Sequence, residues 1–404
     1  MPTSASDFAV NPPRTAPIYL DYHATTPIDP RVFEAMTPYF LEHFGNPSSS
    51  DHTYGDIADR AVQTAREQIA SLLDAHPRNI FFTSGATESV NLAIQGTVKA
   101  IAQSGRRPRI ACTTIEHKAV LDTCRQLAQD DRVDLTEIPV DDRARIDLKE
   151  IERCCADGLD LLCVMAANNE VGTIYPMRDL AVIAQRHHVV FLCDASQAVG
   201  KIPITINTWG IDLVALSAHK FSGPKGIGAI IVRKKSPILP LLYGGGQQRG
   251  LRPGSLNVPG IVGLGVACHL RQREQSVEEL RIQALRDRLQ SKLAAAIPQL
   301  RVNGDLDHRL AGNLHITVPG VPNSAIVARV RDRLAISTGS ACSSGVETPS
   351  HVLRAMRLTQ EECESSLRIG LGQFTTQDEV DEAAVVLVSE IKTIYGLLGM
   401  PEVL

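Results

Sequence analysis

No run of apolar residues in this 404-residue chain approaches the ~18 that a bilayer-spanning helix requires, so no membrane segment is expected. The opening stretch MPTSASDFAVNPPRTAP lacks the basic start and apolar middle of a secretory signal, and residues 1–16 read as a short flexible arm. Nine cysteines stand at 112, 124, 154, 155, 163, 193, 268, 342 and 363, without a CxxC pair or a His/Cys cluster at zinc-ligand spacing. That pattern speaks for reduced thiols in the cytoplasm and for no metal site. Excess positive charge is lacking too: 41 Lys and Arg face 45 Asp and Glu, which disfavours nucleic acid and anionic membrane as partners. No internal repeat or low-complexity tract is visible.

What is present is an ordinary globular composition, 44% hydrophobic and 21% charged. The length exceeds the roughly 250–300 residues at which one core stops growing, so two structural units are expected. From about residue 55 to 235, apolar strand-like runs alternate with helix-period segments. NIFFTSG, LDLLCVMAANNE and VVFLCDAS are strands too apolar to be anything but buried, and RAVQTAREQIASLLDA and ESVNLAIQGTVKAIA are helices. Such alternation predicts an α/β fold with a mostly parallel sheet covered by helices on both faces. Near residue 275 the pattern changes. A helix is expected to start there at a Ser276/Glu279 capping box, followed by a smaller α+β unit with strands at RVNG and NLHITVPG and a last helix through Val380, Leu387 and Ile394. The boundaries drawn are 17–275 for the large unit, its first residues packing with the small one, and 276–404 for the small unit.

Ligands of open parallel sheets sit beyond the carboxyl ends of the strands, so the polar residues that end the apolar runs are the site candidates. One strand ends in Thr83-Ser84-Gly85-Ala86-Thr87 and passes straight into a helix, whose free N–H groups and neighbouring hydroxyls make an anion cup suited to phosphate. A second strand ends in Asp194, a carboxylate that is costly to bury unless a cation or strong donor meets it, such as the protonated nitrogen of pyridoxal phosphate. A third runs into Ser217-Ala218-His219-Lys220, whereas Lys225 lies beyond a proline turn. Lys220 is therefore placed to condense with an aldehyde, with Ser217 and His219 beside it. Cys342 stands apart from the other cysteines, in the small-residue loop Ser337 to Gly345 with no apolar partner, the setting of an exposed and reactive thiol.

Together with IYLDYHATTPIDPRV, FGNPSS, TSGATES, EHKAVLD, NNEVGTI, DASQAVGKI, SAHKFSGPKGIGA, GGGQQRGLRPGSLNVPG, STGSACSS and SSLRIGLGQFTT, these features resemble the pyridoxal-phosphate-dependent cysteine desulfurases of the NifS/IscS type, in the class V aminotransferase superfamily, over nearly the whole chain. The resemblance implies the fold type I transferase architecture with a seven-stranded sheet. It implies that Lys220 takes the cofactor aldehyde, that Asp194 meets the pyridine nitrogen, that Gln197 and Asn169 meet the phenolic oxygen and that His117 stacks on the ring. Ala86, Thr87, Ser217 and His219 would hold the phosphate, joined by Ser255 from the other subunit of a homodimer. Arg368, with Asn169, would bind the carboxylate of L-cysteine, His117 would carry a proton to or from its thiol, and Cys342 would take the sulfur as a persulfide. A protein sulfur acceptor, for iron–sulfur cluster assembly or tRNA thiolation, is the implied partner. A selenocysteine lyase or another class V enzyme, and a non-catalytic interaction protein on the same fold, are the alternatives.

Overall fold

The computed structural model describes residues 16–233, 235–339 and 349–399. Residues 1–15 of the expected arm and Cys342 fall outside the described residues. Seven strands form the large sheet, in the spatial order Ile80–Thr83, Gly228–Val232, Leu213–Ser217, Val190–Asp194, Leu161–Met165, Arg109–Thr113, Asp134–Ile138 among the described residues. All neighbours run parallel except Gly228–Val232, which is antiparallel to both of its partners. An apolar run tells that this strand is buried; it does not tell its direction.

The period of two in the strands distributes their side chains between two cores, one on each face. In Val190–Asp194, Phe191 and Cys193 enter one core and Leu192 the other. Leu213–Ser217 sends Val214 and Leu216 to the first face and Leu213 and Ala215 to the second. Each fully buried Leu or Phe stabilises the sheet by about 1.5–3 kcal/mol. With both faces occupied by apolar contacts, the strand ends are where polar groups gather.

A third core lies around the antiparallel strands Ser366–Gly370, Asn313–Thr317 and Arg301–Val302, covered by the helices Asn323–Val330 and Gln377–Leu397. Ile18–Tyr19 pairs in parallel with Leu334–Ala335, and Ile18 and Leu20 pack into this core. The helix expected to begin at Ser276 does not begin there. A single helix runs from Val258 to Ala296, with the Asn257 side chain accepting from Gly260 N–H and a proline in its first turn. Its first half packs in the large core through Ile261 and Leu264, and its second half in the small one through Ile282, Leu289 and Leu293. Glu279, free of any capping duty, instead receives the Arg271 guanidinium at 2.6 Å. The 275/276 boundary thus lies inside one continuous helix shared by both cores.

Candidate active site

Beyond the strand ends lies a cavity of about 1090 Å³, lined from the large sheet by Thr87, His117, Asp194 and Lys220 and from the small unit by Ser337 and Arg368. The helix Ala86–Ala102 opens it. Its N-cap is Gly85, which has no side chain to satisfy the first turn, so the N–H groups of Ala86 and Thr87 are left facing an acceptor from outside. Gly228, on the neighbouring strand, makes room for this turn: a Cβ there would lie 2.4 Å from Leu216 O and 2.7 Å from Gly85 Cα. Ser217 and His219 line the same end of the cavity. Burial, with Lys220 second, pushes His219 down to about 4, so its ring is neutral and donates or accepts without charge.

Lys220 and Lys225 both reach the cavity but differ in setting. Lys220 Nζ donates to the carbonyls of His23 and Ala24, each at 2.8 Å, whereas Lys225 is exposed at the rim. Burial, reinforced by the positive Arg368, pushes Lys220 down to about 8, against the pull of Asp194 and Asp21. Such an amine has an appreciable free-base fraction near neutrality, the form that attacks an aldehyde. Asp194 is 7% exposed and accepts from the backbone N–H and hydroxyl of Ser196.

His117 caps the helix Lys118–Gln129, its Nδ1 accepting from Ala119 N–H at 3.1 Å. The proton of the neutral ring is therefore on Nε2, and burial lowers the pKa of the ring despite Asp194. Arg368 is held by Asp21, Nη2 to Oδ1 at 2.9 Å, and by the carbonyl of Asn169, Nη1 to O at 3.2 Å. Its Nε is buried and makes no hydrogen bond to the described residues. Asn169 and Gln197 both line the cavity.

Of the residues expected from sequence, Ala86, Thr87, His117, Asn169, Asp194, Gln197, Ser217, His219, Lys220 and Arg368 are brought together around this one cavity. Ser255 is not: it is exposed and away from the cavity lining of its own chain. Gly339 and Pro349, which flank the stretch containing Cys342, stand at the cavity wall. Sequence reasoning assigned no role to Asp21, His23, Glu170 or Lys201. Each sits in a quoted motif; Asp21, His23 and Glu170 contribute by pairing with residues far away in the chain, and Lys201 by pairing with Gln197 four residues before it. Glu170, for example, accepts from the Ser350 hydroxyl, and burial pushes its carboxyl up to about 7.

The donor set fits pyridoxal phosphate. Unclaimed helix N–H groups suit its phosphate, a buried carboxylate suits its ring nitrogen, and a lysine of lowered pKa suits its aldehyde.

The class V aminotransferase model matches residues 18–383. The cysteine desulfurase IscS of Rickettsia typhi is 43% identical over 392 residues, covering 96% of this chain and 95% of that one. Among solved structures, a NifS-like protein superposes with a TM-score of 0.85 at 35% identity, covering 94% of this chain and 99% of that one. SspA in complex with cysteine gives a TM-score of 0.76 at 34% identity, covering 89% and 99%. A domain-wide family match and such relatives over nearly the full length, on a chain whose strand ends carry the expected donors, leave one assignment: the chain belongs to the class V aminotransferases, among the pyridoxal-phosphate-dependent cysteine desulfurases of the IscS/NifS type.

Proposed function

We propose that this protein is a cysteine desulfurase that converts L-cysteine to L-alanine and passes the sulfur, through a persulfide on Cys342, to a protein acceptor. The single observation that carries the reading is the convergence of Lys220, Asp194, His117 and Arg368 on one cavity at the strand ends.

The roles follow from the surroundings. Arg368, held by Asp21 and the Asn169 carbonyl, presents its guanidinium to the substrate carboxylate and fixes the orientation of Cα. Pyridoxal phosphate, when bound, supplies the sink for the electrons left at Cα. Ala86, Thr87, Ser217 and His219 would hold its phosphate, Asp194 would keep its ring nitrogen protonated, and Asn169 and Gln197 would meet its phenolic oxygen. Lys220, with its pKa lowered by burial, removes the Cα proton as a general base. His117, neutral with its proton on Nε2, would cover the ring and carry a proton to or from the substrate thiol. The Cys342 thiolate attacks the substrate sulfur; the C–S bond breaks, its electron pair stays with carbon, and protonation there gives alanine.

The unit around the seven-stranded sheet forms the cofactor-binding part, and the unit joined to it through the shared helix Val258–Ala296 carries Cys342, in a homodimer. The exposed Ser255, outside the cavity lining of its own chain, suits a ligand lent to the neighbouring subunit's phosphate cup. The acceptor is a scaffold for iron–sulfur clusters or a sulfur-relay protein. A reducing compartment, the cytoplasm, accords with the eight described cysteines, all of them free thiols. No described helix is long and apolar enough to cross a membrane. Supplying L-cysteine and a reductant tests the reading: alanine and sulfide should form in equal amounts, and protein that forms neither is not a desulfurase.

A further inference from the structure

Gln197 is 4% exposed, so each of its amide atoms must find a partner nearby. Its Nε2 donates to the His23 carbonyl at 2.8 Å. Its Oε1 accepts from Lys201 Nζ at 3.0 Å and faces His23 Nδ1 at 3.4 Å. A primary amide has two N–H donors, so one N–H of Gln197 is left for the cavity that the residue lines. Turning the amide over would set its oxygen against the His23 carbonyl, a repulsive contact in place of a hydrogen bond, because that carbonyl can only accept. The Lys201 ammonium adds to the constraint, since unlike a neutral amine it has no lone pair with which to accept from a turned NH2. Behind it, Lys201 and Gln197's partner His23 border a small second cavity of about 30 Å³, together with Arg271 and Glu279 of the long helix. His23 is buried, and desolvation with the positive Lys201 keeps its ring neutral, which leaves Nδ1 able to hold the donor proton toward Gln197.

We propose that Lys201 and His23 are positioning residues that lock the Gln197 amide in one orientation, so that its free N–H is offered to the phenolic oxygen of the cofactor. The proposal rests on the function put forward above and deepens it. Lys201 lies outside the cavity lining and acts through Gln197; His23 lines the cavity and braces Gln197 from beside it. The lock fixes Gln197 as a donor, and a donor at this oxygen stabilises its ionised form.

The test is the visible absorption band of the protein loaded with pyridoxal phosphate. Lys201→Met, which keeps the length of the side chain and removes the donor, should displace the band as Gln197→Ala does and weaken cofactor retention about fivefold, the worth of one hydrogen bond. The double variant should be displaced no further, because residues acting as one unit are non-additive. Lys201→Arg, with space in the adjoining cavity, should restore the wild-type band. Gln197→Glu keeps the length of the side chain and an acceptor for Lys201 but has no N–H to offer, so its band must also move. Additive displacements, or an unmoved band in Lys201→Met or in Gln197→Glu, overturn the proposal while a normal band in the wild type leaves the desulfurase reading standing. A wild-type protein that takes up no cofactor overturns both.

Discussion

At neutral pH an ordinary lysine, with a pKa of about 10.4, is free amine in roughly one molecule in 2,500. Lys220, pushed down to about 8, is free amine in about one in ten at pH 7, a gain on the order of 200-fold. The sign follows from its surroundings: burial and Arg368 disfavour the ammonium form, while Asp194 and Asp21 favour it. Cofactor-free protein mixed briefly with pyridoxal phosphate, reduced with borohydride and digested should therefore carry the label on Lys220, with a capture rate that rises through pH 8 and levels off above it. Removing either charge should move that midpoint in opposite directions. Arg368→Gln removes a like charge and leaves Asp21 unpaired beside the amine, raising the midpoint on the order of one unit; Asp194→Asn removes an attractive charge and lowers it. A midpoint near 10, a label on Lys225, or shifts of the same sign in the two variants would refute the electrostatic account of this lysine.

Arg368→Lys gives up the fork that reaches Asp21 and the Asn169 carbonyl, and a point charge does not replace it; kcat/KM for L-cysteine should fall about 100-fold, mostly through KM, in steady-state alanine formation. Gly228→Ala would press a Cβ onto the backbone of Leu216 and Gly85, neither of which is a flexible side-chain end. It should cost about 1–3 kcal/mol in thermal or denaturant unfolding and loosen the cofactor as well, since the displaced turn is the phosphate cup. If Ser255 completes the cup of a neighbouring subunit, then Ser255→Ala should weaken cofactor retention without altering the sedimentation of the dimer, and an active, cofactor-loaded monomer would contradict the composite site.

Much of this was legible because the strands are buried on both faces. Runs such as VFLCD and LVALS have no polar side until their last residue, so the chain itself marks Asp194 and Ser217 as strand ends and separates Lys220 from Lys225. The long helix was misread for a local reason. Ser276 and Glu279 have the chemistry of a capping box, while the preceding segment contains Gly260, Gly263 and Gly265, which lower helix propensity. Packing overrides that cost: a Cβ on Gly265 would lie 2.7 Å from Ala65 Cα, so the glycine lets the helix Thr53–Leu73 approach closely. The pairings of Gln197 with His23 and of Arg368 with Asp21 were out of reach for another reason. Asp21 and His23 come from the start of the chain and join their partners only through the closed tertiary structure, and no periodicity in the sequence carries such pairings.

In the proposed reaction Cys342 takes the substrate's sulfur. Wild-type protein loaded with pyridoxal phosphate and given L-cysteine without reductant should gain the mass of one sulfur atom on the peptide containing Cys342, and Cys342→Ala should keep the cofactor's visible band yet make no alanine. Sulfur found instead on Cys363 or Cys193, or normal turnover by Cys342→Ala, would contradict the account.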